Sequence, residues 1–175
     1  WRTSQIEVSL KKLSPVAGRM DVLRRAGQPT IIVDYAHTPD ALEKALCAVR
    51  EHFPDHLISC VFGCGGDRDA TKRRLMGAAA EEGSDFCIIT SDNPRSEKPE
   101  AILAQIEKGM AGERYQRIED RMEAIQTAVN LSQEGDIVLV AGKGHETYQE
   151  IAGNRIDFDD RRAAYKALNL KKTTV

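Results

Sequence analysis

The chain has 175 residues, of which 41% are hydrophobic and 30% charged, and its formal net charge is −2. These values are typical of one globular domain that buries a core without disulfides or metal ions. The absence of a basic excess argues against a nucleic-acid-binding protein. No apolar run approaches the roughly 20 residues needed to span a bilayer, so no membrane partner is expected.

The beginning of the chain and its cysteines give two further expectations. The first residue is Trp1, with no initiator Met and no signal peptide, which we interpret as a piece of a larger protein. Residues 1–16 are assigned to a linker or the end of a preceding domain, and residues 17–175 to one domain. None of the four cysteines forms a Cys-x-x-Cys pair, and Cys60 and Cys87 lie within apolar runs. Reduced thiols in a cytoplasmic protein are therefore expected.

The first half of the chain alternates between short apolar runs and amphipathic stretches. The β-branched run Thr30-Ile-Ile-Val-Asp34 is typical of a strand. Thr38 can then cap a helix that has Pro39 in its first turn. In chain order the pattern predicts a strand at 30–34, a helix at 39–52, a strand at 57–62, a glycine-rich turn at 63–67 and a helix at 69–82.

The second half continues the same alternation. It predicts a strand at 85–90, a loop at 91–95, a helix from 99, a helix at 120–132, a strand at 136–141, a hairpin at 149–157 and a last helix at 159–168. The hairpin turns at Gly153-Asn154. Short apolar strands alternating with helices predict an α/β fold, with a mostly parallel sheet, helices on both faces and a C-terminal β-hairpin.

Four polar, glycine-containing segments follow predicted strands: 34–39, 63–68, 92–95 and 142–146. The carboxyl ends of parallel strands meet at one edge of a sheet, where such folds bind ligands. Turns require Gly, Asn or Pro, but they do not require Arg, His and Glu together. The sequence therefore predicts a binding or active site at this edge.

Several more specific interpretations fail on spacing. Gly63-Cys-Gly-Gly is not the Gly-x-Gly-x-x-Gly pattern of dinucleotide sites. Gly142-Lys143 resembles the end of a phosphate-binding P-loop, but Ile137 occupies the position where its first glycine is required. His52 and His56 have metal-like spacing, yet Pro54 lies between them, so both are interpreted as solvated loop residues and no metal site is predicted.

The charges of the four segments indicate the kind of ligand. Arg68 and Arg95 offer guanidinium groups suited to carboxylates or phosphates. Asp92 and Glu146 offer carboxylates suited to an ammonium group. Both signs together favour a zwitterionic ligand such as an amino acid, with a nucleotide as the alternative that these residues leave open.

Six motifs, in this order, resemble the Mur ligase family: Gly-Arg-Met at 18–20, Asp-Tyr-Ala-His-Thr-Pro-Asp at 34–40, Phe-Gly-Cys-Gly-Gly-Asp-Arg-Asp at 62–69, Asp-Asn-Pro-Arg at 92–95, Asp-Arg at 120–121 and Ala-Gly-Lys-Gly-His-Glu at 141–146. Their order and spacing look like the diaminopimelate-adding branch. The resemblance extends from about residue 15 to the end. One mild departure is Met122, where the family more often has a small residue.

The resemblance implies the third domain of a three-domain, cytoplasmic ligase of peptidoglycan synthesis. The first domain binds the UDP moiety, and the central domain carries the P-loop, the Mg²⁺ ligands and a carbamylated lysine. The third domain has a Rossmann-like sheet and binds the incoming amino acid. In the implied reaction, ATP phosphorylates the γ-carboxylate of D-Glu in UDP-MurNAc-L-Ala-D-Glu, and the amine of meso-diaminopimelate attacks the acyl phosphate. ATP and Mg²⁺ are then held mainly by the central domain, so no catalytic residue is assigned here and the isolated chain is expected to be inactive.

Two sets of residues carry over from the matching motifs. The set expected to hold meso-diaminopimelate is Arg68, Asp92, Asn93, Arg95, Gly142 and Glu146. The set expected to meet ADP when the domains close is Arg19, Asp34, Tyr35, His37 and Pro39, with Arg19 near phosphate and Asp34 near the ribose. The alternatives are a lysine-adding or folylpolyglutamate-type ligase domain, against which the Asp-Asn-Pro-Arg loop argues, or a stand-alone amino-acid-binding module.

Overall fold

The computed structural model describes residues 16–170, and within them the chain forms eight strands and five helices. In chain order these are β1 (Asp21–Leu23), β2 (Thr30–Asp34), α1 (Pro39–His52), β3 (Ile58–Phe62), α2 (Thr71–Gly83), β4 (Phe86–Ile89), α3 (Pro99–Glu107), β5 (Tyr115–Arg117), α4 (Arg121–Leu131), β6 (Ile137–Ala141), β7 (Tyr148–Ile151), β8 (Asn154–Asp157) and α5 (Asp160–Leu170). None of these helices is long and apolar enough to cross a membrane.

All the strands and helices predicted from the sequence are present, and two short strands were missed. These are β1 and β5, each three residues long and each at an edge of the sheet. A three-residue edge strand is too short to show a period of two, and β5 is half-buried or exposed along its length. The linker predicted at 1–16 lies outside the described residues except for its last position.

Local signals explain where the helices begin. Helix α1 starts at Pro39, after Thr38 caps it by accepting a hydrogen bond from the Ala41 backbone N–H at 3.3 Å. Helix α2 starts at Thr71, two residues later than predicted. The Asp69 carboxylate accepts hydrogen bonds from both the backbone N–H and the hydroxyl of Thr71, at 3.0 and 2.6 Å, and so forms a turn before the helix.

The last parallel strand of the chain lies in the middle of the sheet. The strand order is β1-β2-β6-β3-β4-β5, in which β2, β6, β3, β4 and β5 are parallel and β1 is antiparallel to β2. Strands β7 and β8 form a separate antiparallel hairpin. Because β6 enters between β2 and β3, the segments that follow β2, β6, β3 and β4 become neighbours at one edge.

The sheet is covered on both faces, as the apolar strands predicted. In β6, Leu139 packs with α1, α2 and α3 on one face, whereas Val138 and Val140 pack with α4 and α5 on the other. All three side chains are fully buried. The result is the predicted three-layer, Rossmann-like architecture with a C-terminal hairpin, whose hydrophobic surfaces lie between the layers.

A fully buried ion pair joins the second helical layer to the sheet edge. Arg121, the first residue of α4, donates hydrogen bonds to both carboxylate oxygens of Asp160 at the start of α5, at 2.7 and 2.8 Å. Its Nη2 also donates to the Ala141 carbonyl at 3.0 Å, and its Nη1 lies 3.5 Å from the Ser91 carbonyl. The Arg121 guanidinium thus connects the first turns of α4 and α5 to the segments that follow β6 and β4.

Replacing this arginine should destabilise the fold strongly. Arg121→Met leaves the Asp160 carboxylate buried without a counter-ion, so we expect the free energy of unfolding to fall by about 3–5 kcal/mol. The matched control is Arg162→Met, because Arg162 and its partner Asp157 are both largely exposed, and this variant should change stability little. Urea denaturation of both variants measures the difference. Equal losses would contradict a special role for the buried pair.

Candidate functional site

The four polar segments surround one cavity of roughly 470 Å³ at the carboxyl edge of the sheet. Eight of the residues predicted for the two ligand sets line it: Tyr35, His37, Arg68, Asp92, Asn93, Arg95, Gly142 and Glu146. All six residues predicted to hold the amino acid are among them. Gly63, Cys64, Arg73 and Tyr148 complete much of the wall.

One half of the cavity is acidic and is built around a buried ammonium. Lys143, which follows β6, donates hydrogen bonds from Nζ to Asp92 Oδ1 at 3.2 Å, Asn93 Oδ1 at 3.0 Å and Glu146 Oε2 at 3.3 Å. Asn93 Nδ2 in turn donates to Glu146 Oε2 at 2.9 Å. The Lys143 side chain is fully buried, while the Asp92 and Glu146 side chains keep 11% and 22% of their surface exposed toward the cavity.

The other half of the cavity is basic. Arg68 is exposed on the segment after β3, and Arg95 lies at the end of the segment after β4. Arg95 Nη1 donates to the Gly66 carbonyl at 2.7 Å, and Arg95 Nε lies 3.7 Å from a carboxylate oxygen of Glu150. A Cβ at Gly65 would lie 2.8 Å from Arg95 Nη1. The absence of a side chain at Gly65 therefore leaves room for the Arg95 guanidinium.

The backbone of Arg95 is held by the hairpin. Its N–H donates to the Glu150 carbonyl at 2.9 Å, and its carbonyl accepts from the Ala152 N–H at 2.7 Å. Arg95 has a φ of +53°, a left-handed conformation that is unusual for a residue with a side chain. These two hydrogen bonds to β7 and the turn after it fix that conformation and direct the guanidinium toward the cavity.

A second buried arginine ties the basic half together. Arg73 of α2 donates to both carboxylate oxygens of Glu97 at 2.7 Å, to Gln105 Oε1 at 2.9 Å and to the Gly65 carbonyl at 3.2 Å. The Arg73 side chain is 2% exposed and that of Glu97 is 32% exposed. Hydrogen bonds from Arg73 and from the Asp67 backbone N–H lower the pKa of Glu97 from 4.5 to about 2. This pair joins α2 to the segments that carry Arg68 and Arg95.

The residues predicted to face a nucleotide form a continuation of the cavity rim. The Arg19 guanidinium lies 4.9 Å from the centre of the Tyr35 ring, and that ring contacts His37 at 4.7 Å and His145 at 5.2 Å. Pro39 is the first residue of α1.

Asp34 lies beneath this rim and is mostly buried. Its Oδ2 accepts a hydrogen bond from the Met20 N–H at 2.8 Å, and its Oδ1 accepts one from the Ala36 N–H at 2.9 Å. The carboxylate therefore holds the 18–20 turn against the end of β2.

Two glycines bring the 18–20 turn against the 142–146 loop. A Cβ at Gly18 would lie 2.2 Å from the Gly144 carbonyl carbon, and a Cβ at Gly144 would lie 2.7 Å from the Gly18 carbonyl oxygen. Gly142 adopts a φ of +122°, which favours glycine, and its N–H donates to the Asp34 carbonyl at 3.0 Å. The 18–20 turn and the 142–146 loop are thus in direct backbone contact.

Sequence reasoning missed three of the charged residues that build the site: Arg73, Glu97 and Lys143. Arg73 stands in the run Lys72-Arg73-Arg74, which looks like a solvated surface. Lys143 was considered as a fragment of a P-loop and belongs to the 141–146 motif, but it was given no role in the site. The sequence did contain a signal that Lys143 is buried. It comes directly after a fully apolar strand, and neighbouring strands and loops cover the first residues that follow such a strand.

The cysteines and histidines behave mostly as expected. Cys60 and Cys87 are buried free thiols, whereas Cys47 is exposed on α1. Burial raises the pKa of Cys64, beside the cavity, to about 12, so its thiol stays protonated at neutral pH. His52 ends α1 instead of lying in a loop, and it is exposed as predicted. Among residues 16–170, no group of three or more His, Cys, Asp or Glu side chains could hold a metal ion.

The fold and the cavity define a Rossmann-like α/β domain with a site that presents both signs of charge. Residues 18–144 match the family model described as "Mur ligase, glutamate ligase domain". The chain is 50% identical over 169 residues to the UDP-N-acetylmuramoyl-L-alanyl-D-glutamate–2,6-diaminopimelate ligase of Syntrophomonas wolfei, covering 95% of this chain and 34% of that protein. The chain therefore belongs to the Mur ligase family, and it spans about a third of the length of this relative.

Solved structures agree with this assignment. A UDP-N-acetylmuramoyl-L-alanyl-D-glutamate–2,6-diaminopimelate ligase superposes with a TM-score of 0.82 at 48% identity, over 90% of this chain and 32% of that one. A folylpolyglutamate synthase from Thermotoga maritima superposes with a TM-score of 0.60 at 22% identity, over 81% of this chain and 31% of that one. The second likeness supports the fold alone.

The Arg73–Glu97 pair should make part of the stability depend on pH. The pKa of Glu97 is lower in the folded state, so its contribution is fully present above about pH 4.5 and is lost as pH falls toward 2. At pH 7 we expect Glu97→Gln to lower the free energy of unfolding by about 1–2 kcal/mol. This value lies in the lower part of the range for hydrogen bonds to charged groups, because the Glu97 side chain is partly exposed.

The measurement is urea denaturation of both proteins at several pH values between 7 and 2. The difference between wild type and Glu97→Gln should shrink between about pH 4.5 and pH 2. Glu43→Gln on the exposed side of α1 is the matched control and should show no such pH-dependent difference. A difference for Glu97→Gln that stays constant over this range would contradict the ion-pair explanation.

Proposed function

We propose that this chain is the C-terminal, amino-acid-binding domain of an ATP-dependent ligase that adds meso-diaminopimelate to UDP-MurNAc-L-Ala-D-Glu in the cytoplasm. The observation that carries the proposal is the two-signed cavity, in a chain that is 50% identical to a protein named as a diaminopimelate ligase. The share of this domain in the reaction is to place the nucleophilic amine next to the activated carboxyl group.

The charges of meso-diaminopimelate suit the two halves of the cavity. The molecule carries an ammonium and a carboxylate at each end, whereas lysine has no carboxylate at its far end. We assign the carboxylates to Arg68 and Arg95, and an ammonium to Asp92 and Glu146, with Asn93 and Gly142 shaping the acidic half. Arg95 is central because, among residues 16–170, its Nη2 has no hydrogen-bond partner and can bind a carboxylate together with Nε.

The nucleotide is assigned to the rim at Arg19, Tyr35, His37 and Pro39. The Arg19 guanidinium over the Tyr35 ring fits a phosphate beside an aromatic surface. For Asp34, any contact with the ribose uses lone pairs that its two backbone hydrogen bonds leave free. Following the family resemblance, we assign the Mg²⁺ ligands, and most of the ATP site, to the other domains of the complete ligase.

The assignment of Arg95 gives a direct test in the complete ligase. Arg95→Ala removes a charge-assisted, two-pronged contact from a mostly desolvated site, which typically weakens binding by roughly 2–5 kcal/mol, or about 30-fold to several-thousand-fold. We expect kcat/KM for meso-diaminopimelate to fall within this range while the KM for ATP stays nearly unchanged. Arg95→Lys should restore activity only partly, because an ammonium lacks the fork geometry.

Steady-state kinetics with meso-diaminopimelate and with lysine provide the measurement. The matched control is Arg114→Ala, because Arg114 is an exposed arginine at the amino end of β5. This variant should leave kcat/KM for meso-diaminopimelate and the KM for ATP unchanged. If the wild-type protein prefers lysine, or if Arg95→Ala keeps full activity with meso-diaminopimelate, the substrate assignment is wrong.

A further inference from the structure

We propose that Lys143 is the positioning residue of the acidic half: it sets the geometry of Asp92, Asn93 and Glu146 and limits this half to one ligand ammonium. This inference rests on the proposed function, because it concerns the same cavity. The residue has no place in either predicted ligand set. Its side chain has no exposed surface, so it acts through its neighbours and does not reach the solvent side of the cavity.

The hydrogen bonds of Lys143 are complete. A lysine ammonium has three N–H donors, and here they meet one acceptor on each of Asp92, Asn93 and Glu146. The Asn93 amide is thereby fixed, since its Oδ1 accepts from Lys143 and from the Glu150 N–H at 3.0 Å, while its Nδ2 donates to Glu146. A single buried group thus aligns two carboxylates and one amide on two different loops.

The charge of Lys143 also decides how many cations this half can accept. Asp92 and Glu146 contribute two negative charges, and Lys143 neutralises one of them. Arg121, which also interacts electrostatically with Asp92 and Glu146, is already paired with Asp160 on both carboxylate oxygens. One uncompensated negative charge remains, which matches one ammonium of a diamino acid.

The burial of Lys143 argues for such a role. Burying an ammonium is unfavourable unless it is paired and hydrogen-bonded, and a complete buried ion pair adds little net stability over apolar residues of similar volume. The neighbouring loops are already joined by Arg121, which binds the Ala141 carbonyl and lies 3.5 Å from the Ser91 carbonyl, so this connection does not need Lys143. The two partly exposed carboxylates are what require it.

The test compares three variants of the complete ligase. Lys143→Met leaves two carboxylates facing each other without a counter-ion, and we expect the KM for the amino acid to rise about 10- to 100-fold. The KM values for ATP and for the UDP-linked substrate should stay unchanged. Lys143→Met combined with Glu146→Gln restores one uncompensated negative charge, on Asp92, so it should fold. Its KM for the amino acid should lie below that of Glu146→Gln alone, in which Lys143 leaves no uncompensated charge.

The matched control is Lys44→Met, in which an exposed lysine paired with Asp40 is removed, and it should change none of these constants. The proposal is overturned if Lys143→Met leaves the KM for the amino acid unchanged, if it raises all three KM values alike, or if the effects of the two substitutions simply add. These outcomes are read with the amino acid that the wild-type enzyme uses. A wild type that rejects meso-diaminopimelate therefore contradicts the proposed function without deciding the role of Lys143.

Discussion

The arrangement of the site depends on the buried guanidinium of Arg121. It pairs with Asp160, and it binds the carbonyl of Ala141, which ends β6. The two loops that build the acidic half of the cavity begin one residue beyond Ala141 and Ser91, whose carbonyls lie within 3.5 Å of this group. A buried ion pair contributes little net stability compared with apolar packing, but it has one geometry. It therefore fixes where both loops leave the sheet.

The two halves of the cavity are organised alike, with opposite signs. In the acidic half a buried cation, Lys143, aligns carboxylates that face the cavity. In the basic half the buried Arg73 pairs with Glu97 and binds the Gly65 carbonyl, next to the loops of Arg68 and Arg95. In each half a buried charge, paired with a charge of opposite sign, supports charges that remain partly exposed. Such support keeps exposed side chains in position before the ligand arrives, which reduces the entropy lost on binding.

The sequence alone determined the class of fold and predicted most of the residues that line the cavity. Periodicity and turn residues located all five helices and the six longer strands, because burial on one or both faces leaves a pattern that local residues carry. The Gly, Arg and Asp residues after the strands indicated a site at the carboxyl edge, and all six residues assigned to the amino acid line one cavity. The strands β1 and β5 were missed because three-residue edge strands carry too little pattern.

Only the tertiary structure decided which loops are neighbours and which charges are buried. The order of strands places β6 between β2 and β3, so the 142–146 loop meets both the 18–20 turn and the loop of Asp92. Strand order depends on pairings between residues far apart in the chain, which no local pattern encodes. For the same reason the sequence does not show that Arg73, Arg121 and Lys143 are buried. Their burial follows from what packs over them, and their carboxylate partners Glu97, Asp160 and Asp92 lie 24, 39 and 51 residues away.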